Sequence, residues 1–138
     1  MMSLITLTGP SGSGKSTAVN YILKKTGIKF KPILIPKYTT RPKRDDDYNE
    51  VKHVKNIPKK CDLIYEQYGY RYGQSLEILF DYIALGFSPI IILNDIRTVQ
   101  DVRTALGGLV KSIFIFRHDP ELENFKKLMN WIRLIGIY

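Results

Sequence analysis

The chain has 138 residues, 44% of them hydrophobic and 25% charged, which is the balance of an ordinary globular protein with a single domain. Its 21 basic and 13 acidic residues give a formal net charge of +8, which favours an anionic ligand, either a nucleotide or a nucleic acid. The composition excludes a disulfide framework, because Cys61 is the only cysteine, and a bilayer-spanning helix, because the apolar runs are short. We therefore expect a cytoplasmic protein without a signal peptide.

A phosphate-binding loop is the first feature along the chain. Residues 9–17 match the pattern G-x-x-x-x-G-K-[ST] at every fixed position. A β-prone run precedes them at 4–8, and residues 18–25 can continue as a helix, so the motif has the strand, loop and helix context that it requires. The predicted phosphate-binding residues are Gly9, Pro10, Ser11, Gly12, Ser13, Gly14, Lys15, Ser16 and Thr17.

The residue types of this loop indicate its chemistry. Glycine permits backbone conformations in which consecutive N–H groups point into one concave anion site, and the following helix adds its positive end. Lys15 is placed to reach the outer phosphates and the Ser16 hydroxyl to bind Mg²⁺. The motif therefore predicts a nucleoside triphosphate with Mg²⁺. The alternative, a glycine-rich turn with an exposed lysine, is disfavoured by the flanking strand and helix.

The next part of the chain predicts an insertion into the main fold. Residues 30–38 form a proline-bracketed strand expected at a sheet edge, and residues 39–44 form a rigid basic turn. Short aromatic and β-branched pieces between 48 and 73 predict a small antiparallel sheet. We expect an insertion at about 37–75 within a single domain whose core is 1–36 and 76–138.

The second half alternates helices and strands. Ser75 caps a helix that ends at Gly86, and the apolar run 89–93 has no alternation, as expected of a central parallel strand buried on both faces. A helix at 98–106 and a strand at 110–116 follow, and a last helix opens at Asp119. This order predicts a P-loop NTPase fold of class α/β, with three α/β/α layers and a mainly parallel sheet.

Four motifs together resemble the guanylate kinases, which are P-loop nucleoside monophosphate kinases with a β-rich insertion that holds GMP opposite ATP. They occur in the order found in that family, and the resemblance covers about residues 3–122. The motifs are Thr39-Thr40-Arg41-Pro42-Lys43-Arg44, Asp47-Tyr48, Tyr72-Gly73-Gln74-Ser75 and Leu93-Asn94-Asp95.

The resemblance implies an enzyme that transfers phosphate from ATP to GMP or dGMP with Mg²⁺. Its implied catalytic residues are Lys15, Arg41, Arg44 and Asp95, and its implied metal ligands are Ser16 and Asp95. The acceptor site would be formed by Arg41, Arg44, Tyr48, Glu66, Tyr72, Ser75 and Asp95, and Arg117 and Arg133 are the candidates for a lid.

These residue types suit a monophosphate clamp. Arg41 and Arg44 offer planar guanidinium forks, and Tyr48 and Tyr72 offer phenolic donors. Glu66 would accept hydrogen bonds from a guanine edge. The alternatives are that the tyrosines pack the insertion, that Arg41 is solvated, that Asp95 caps a helix and that Arg133 is a surface residue.

The chain departs from the family pattern at several positions. Lys37 replaces a serine that contacts the base or phosphate, and Pro42 comes one position early. Fewer residues separate Glu66 from Tyr72 than in the family. Apolar residues beside Arg133 in the last helix suggest either a homodimer contact or a minimal lid.

Two other functions remain open at this point. One is a guanylate-kinase-like module, catalytically weakened, that binds nucleotide or docks a partner protein. The other is a P-loop kinase or regulator that acts on nucleic acid through the basic turn. The base of the acceptor and the oligomeric state also stay open.

Overall fold

The computed structural model describes residues 3–9, 14–24, 31–44, 51–93 and 96–115. The elements within these ranges, in chain order, are β1 (Leu4–Thr8), α1 (Lys15–Lys24), β2 (Lys31–Leu34), β3 (Lys37–Thr39), β4 (Val51–His53), β5 (Leu63–Gln67), β6 (Tyr70–Gln74), α2 (Leu76–Ala84), β7 (Phe87–Leu93), α3 (Ile96–Leu106), a 3₁₀ turn (Gly107–Leu109) and β8 (Val110–Phe114).

A parallel sheet forms the centre of the fold. Its strand order is β2-β7-β1-β8, and the pairings between neighbours are all parallel. Strand β7 is buried from Ser88 to Leu93, which confirms the prediction of a central strand covered on both faces. Strand β2 lies at the edge, also as predicted. The carboxyl ends of β1 and β7 are adjacent, because Thr8 pairs with Leu93.

Helices cover both faces of this sheet and give the predicted three α/β/α layers. One face of the sheet carries Leu7, Ile90 and Ile92, which pack against Val19 of α1. The other face carries Leu4, Ile91 and Leu93. These residues share a buried cluster with Leu79 of α2, with Val99 and Val102 of α3 and with residues of the second sheet. No helix in the described ranges is long and apolar enough to cross a bilayer.

The second sheet has the strand order β4-β3-β6-β5. Strands β5 and β6 form an antiparallel hairpin, and β3 is antiparallel to β6. The prediction of a small antiparallel sheet holds for these two pairings and is wrong for the third, because β3 and β4 pair in parallel. A parallel pair needs a long connection, and residues 40–50 supply it.

The single strand predicted at 30–38 is two strands in two different sheets. Strand β2 ends at Leu34, and the Ile35 amide still donates to the Ile90 carbonyl at 3.0 Å. Pro36 has no amide hydrogen, so it cannot continue the ladder. The chain leaves the parallel sheet there, and Lys37 begins β3.

Helix α2 begins and ends where the sequence predicts. The Ser75 hydroxyl accepts from the Ile78 amide at 3.4 Å, and Asp62 Oδ1 accepts from the Leu76 amide at 2.8 Å. Gly86 adopts a φ of +89°, which favours glycine after the last turn. Asp62 also ties the start of α2 to the residues just before β5.

Candidate functional site

The phosphate-binding loop joins the carboxyl end of β1 to the start of α1. Lys15 is the first residue of α1 and is 9% exposed, and its Nζ donates to the Gly9 carbonyl at 2.5 Å. Gly14 has a φ of +98°, a value that a residue with a Cβ rarely adopts, and its carbonyl accepts from the Ala18 amide at 2.9 Å. The Lys15 ammonium is therefore held on the carbonyl of the residue that follows β1.

The first turn of α1 presents groups suited to an anion and its metal. Ser16 and Thr17 are exposed beside Lys15 at the positive end of the helix. In nucleotide sites Mg²⁺ is commonly bound by one Ser or Thr hydroxyl together with phosphate oxygens, so the Ser16 hydroxyl is a suitable ligand for this metal. Within the described ranges, no cluster of three or more His, Cys, Asp or Glu residues could hold a metal by itself.

The basic turn is fixed to the second sheet by its two threonines. Thr39 Oγ1 donates to the Arg71 carbonyl at 3.2 Å and accepts from the Arg41 amide at 3.1 Å. Thr40 Oγ1 accepts from the Arg71 amide at 3.0 Å, and the Thr40 amide donates to the Arg71 carbonyl at 3.1 Å. These bonds explain why two hydroxyl residues precede Arg41.

The two arginines of the turn have different surroundings. Arg41 is only 8% exposed, with Nη1 donating to the Pro42 carbonyl at 3.3 Å, so the alternative of a solvated Arg41 does not hold. His53 Nδ1 donates to the Arg41 carbonyl at 2.7 Å and fixes the backbone of the turn. Arg44 is exposed. The predicted clamp therefore pairs one buried arginine with one exposed arginine.

One face of the second sheet is turned toward the core, and we call it the inner face. It carries alternate residues of its strands, which are Lys37, Thr39, Leu63, Tyr65, Tyr72 and Gln74. The Tyr65 and Tyr72 rings stack with their centroids 5.2 Å apart, and both belong to the hydrophobic core. Tyr72 therefore packs in the core, as one of the two predicted alternatives has it.

Lys37 is a buried cation on the inner face. Its side chain is 6% exposed, and its Nζ donates to the Ile92 carbonyl at 3.3 Å. The same Nζ lies 5.2 Å from the centroid of the Tyr72 ring. The ammonium therefore sits between the second sheet and the carboxyl end of β7.

The structure does not bring Glu66 together with the other acceptor-site residues. Glu66 is exposed, pairs across the hairpin with Arg71 and lies on the opposite face of β5 from Tyr65. Ser75 is buried and its hydroxyl caps α2. Of the predicted acceptor residues, Arg41, Tyr72 and Ser75 are buried, whereas Arg44 and Glu66 are exposed.

Several predicted residues lie outside the described ranges. They are Pro10, Ser11, Gly12, Ser13, Tyr48, Asp95, Arg117 and Arg133, together with the last helix. Sequence patterns give no role to Lys37 or Gln74, although the structure buries both of them on the inner face, next in alternation to Thr39 and Tyr72.

The opposite, outer face of the second sheet is basic. The Nζ atoms of Lys52 and Lys60 lie 5.7 and 5.4 Å from the centroid of the Tyr38 ring. A hydrogen bond with Tyr38 raises the pKa of Lys60 above its ordinary value, so this lysine stays charged.

Two comparisons with known proteins give a match for this chain. The sequence profile described as "Guanylate kinase" matches residues 1–132. The chain is similar in structure to guanylate kinase from Anaplasma phagocytophilum, with a TM-score of 0.63 at 18% sequence identity; the match covers 95% of this chain and 67% of that one. No curated protein is similar enough in sequence to count as a relative.

Proposed function

Because the chain belongs to the guanylate kinase family, we propose that it transfers the γ-phosphate of ATP to a nucleoside monophosphate, with GMP or dGMP as the acceptor. The observation that supports this most is the position of Lys15. Its buried ammonium is held on the Gly9 carbonyl at the end of β1, where the outer phosphates of a nucleotide in the loop would lie.

The donor side of the proposed reaction uses the loop and the first turn of α1. Lys15 binds the outer phosphates as a point charge, and the exposed hydroxyls of Ser16 and Thr17 face the same end of the helix. Ser16 and Asp95 would hold Mg²⁺, which would supply positive charge that offsets the charge of the phosphates. These groups orient the γ-phosphate without needing a protein base.

The acceptor side uses the basic turn and the inner face. Arg41 and Arg44 bind the acceptor phosphate with Tyr48 and Tyr72, and Ser75 and Asp95 border the same site. Loose phosphoryl transfer depends on alignment and positive charge more than on proton removal. Glu66 is left out of this site because it lies on the outer face.

Further parts of the proposal concern the whole chain. We propose that residues 37–75 act as the acceptor-binding insertion in a core of 1–36 and 76–138. Arg117 or Arg133 would cover the nucleotides as a lid, and the last helix would pair in a homodimer. A reducing, cytoplasmic setting suits Cys61, which is unpaired and buried.

The test is ADP production from ATP and Mg²⁺ with a panel of nucleoside monophosphates. We expect acceptor-dependent turnover, and we expect Lys15→Met to lower kcat by about 100-fold to 1,000-fold, the effect of removing one preorganised charge contact. Lys24→Met, at the exposed end of α1, is the matched control. Intact ATP binding with no acceptor-dependent turnover would contradict the proposal.

The outer face favours a second candidate, nucleic-acid binding. Two ammonium groups flank the Tyr38 ring there, and the chain carries a net charge of +8. Binding of this kind weakens steeply with added salt. A labelled oligonucleotide titrated at low and moderate salt checks it, and no binding at low salt would remove this candidate.

A further inference from the structure

We propose that His53 is a positioning residue for the acceptor site. Its imidazole Nδ1–H holds the Arg41 carbonyl and thereby fixes the direction in which the Arg41 side chain leaves the basic turn. This inference rests on the proposed kinase function, in which Arg41 binds the acceptor phosphate. It adds a residue that belongs to none of the sequence motifs and that acts on the acceptor only through Arg41.

The hydrogen bond to His53 belongs to a sharp bend after β3. Strands β3 and β4 are parallel with Thr39 opposite His53, and the Val54 amide donates to the Thr39 carbonyl at 2.9 Å. A chain that continued straight would place Arg41 opposite Lys55, two residues beyond His53. Instead the chain bends at Arg41, and the Arg41 carbonyl lies 2.7 Å from His53 Nδ1. The turn therefore folds back toward the end of β4.

This contact requires a hydrogen on one particular ring nitrogen. A carbonyl oxygen only accepts, so Nδ1 of His53 must carry the hydrogen. The hydrogen bond that one ring nitrogen makes sets the tautomer of a histidine. An imidazole can make this bond without carrying a charge, whereas a lysine or arginine at this position would place a second cation next to Arg41. Histidine thus holds the turn without repelling the arginine.

The backbone of Arg41 is held on both sides of its Cα. Its amide donates to Thr39 Oγ1 at 3.1 Å, and its carbonyl accepts from His53. The peptide groups are planar, so fixing the two that flank Arg41 fixes its φ and ψ and hence the direction of its Cα–Cβ bond. Arg41 is 8% exposed, so its side chain has little room to compensate for a shift of the backbone. Loss of the His53 bond would release one of the two peptide groups.

An arginine that is already in place raises the affinity for the acceptor phosphate. A side chain with several open rotamers loses conformational freedom when its ligand binds, and this loss weakens binding. The acceptor phosphate stays bound to Arg41 from the ground state through the transfer, so ordering this residue stabilises both states. A change that releases the turn should therefore act on the KM for the acceptor more than on kcat.

The test is steady-state kinetics of the full chain with ATP, Mg²⁺ and the best acceptor of the nucleotide panel. We expect His53→Ala to raise the KM for the acceptor about twofold to tenfold, the contribution of one hydrogen bond, with the KM for ATP unchanged. Asparagine carries its amide nitrogen as many bonds from Cβ as Nδ1, so His53→Asn should restore most of the parent value. Lys55→Ala, an exposed position just beyond β4, is the matched control and should keep the parent value.

A second measurement reports the hydrogen bond without disturbing it. The chain has two histidines, and His118→Asn leaves the ring-nitrogen resonances of His53 as the only ones of their kind. With isotopic nitrogen at histidine, these resonances show which nitrogen of the neutral ring carries the hydrogen. We expect the Nδ1–H tautomer. The Nε2–H tautomer would contradict the proposed bond to Arg41.

Two kinetic results would also overturn the inference. One is an unchanged KM for the acceptor in His53→Ala, since His53 would then stabilise the second sheet alone. The other is an equal rise in the KM values for the acceptor and for ATP. If His53→Ala does not fold, His53→Gln, whose amide lies one bond further from Cβ, takes its place.

The failure of this inference can be told from that of the proposed function. If the parent chain binds GMP without transferring phosphate, the proposed function fails. The affinity for GMP in the same variants, measured by calorimetry, then decides whether His53 positions Arg41. Absence of binding by every nucleoside monophosphate defeats both.

Discussion

Gly73 shows how a single missing side chain shapes the second sheet. A Cβ built there would lie 2.5 Å from Ile57 Cγ2 and 3.1 Å from Cys61 Cβ. The segment that contains Ile57 and Cys61 would therefore have to move. We predict that Gly73→Ala destabilises the protein by about 1–3 kcal/mol through overpacking. Urea unfolding measures this. Gly108→Ala, where no atom lies within 4 Å, is the control, and equal stability of the two variants would contradict the packing described.

Cys61 provides a second prediction at the scale of the residue. It is 4% exposed, and burial raises the pKa of its thiol above the ordinary value. Because the folded pKa is the higher one, the unfolded state loses its proton first, and stability falls as the pH rises above about 9. We expect slow labelling by a thiol reagent at pH 8 that becomes rapid in denaturant. Rapid labelling of the native protein would contradict this burial.

Local sequence predicted some site residues and could not predict others. The spacing around Lys15 fixes its position, because the strand, loop and helix are contiguous in the chain. The face occupied by Glu66 depends on where the hairpin turns, at Tyr68 and Gly69, and a shift of one residue reverses every side chain. The position of Gln74 opposite Lys37 depends on the register between β3 and β6, which no local pattern contains.

The β5–β6 hairpin yields a prediction at the scale of the element. Tyr68 and Gly69 both have positive φ, 54° and 79°, and the tyrosine ring is exposed. A bulky residue in this conformation is strained, whereas asparagine adopts it readily. We predict that Tyr68→Asn raises the free energy of unfolding by about 0.5–1 kcal/mol, since the strain of a left-handed residue is roughly 1–2 kcal/mol.

Thermal unfolding checks this prediction, with Gly69→Ala as the opposing variant. Adding a Cβ at a φ of 79° should destabilise the same turn, although space around it is open. A Tyr68→Asn protein that unfolds at a lower temperature than the parent would contradict the prediction. It would mean that contacts of the tyrosine ring stabilise the protein by more than the backbone strain at Tyr68 destabilises it.

The strands and helices that the sequence predicted well are those whose burial or end signals are visible in their own residues. Strand β7 is buried on both faces, and α2 has a hydroxyl cap and a terminal glycine, so composition and spacing identify them. The division of residues 30–38 between two sheets depends on Pro36 and on the strands with which each half pairs. Strand β2 pairs with β7, whereas β3 pairs with β4 and β6. The parallel pairing of β3 with β4 depends on the path of the residues that join these two strands, which no local pattern predicts.

At the scale of the molecule, the ordered set of motifs identified the family, which the match over residues 1–132 confirms. The two sheets meet at the carboxyl edge of the parallel sheet, where Lys15 and Lys37 are each held on a backbone carbonyl. Motif order could predict that a donor and an acceptor site adjoin. It could not predict that the Lys37 side chain contacts the Ile92 carbonyl, because these residues are far apart in the chain.

The central claim, that two nucleotides meet end to end between the phosphate loop and the basic turn, is tested most directly by a bisubstrate ligand. Adenosine and guanosine joined by five phosphates should bind the full chain one to one. Its affinity should exceed that of an ATP analogue by at least about 100-fold, because linking two sites makes the second contact intramolecular. Binding no tighter than that of the ATP analogue would contradict the claim.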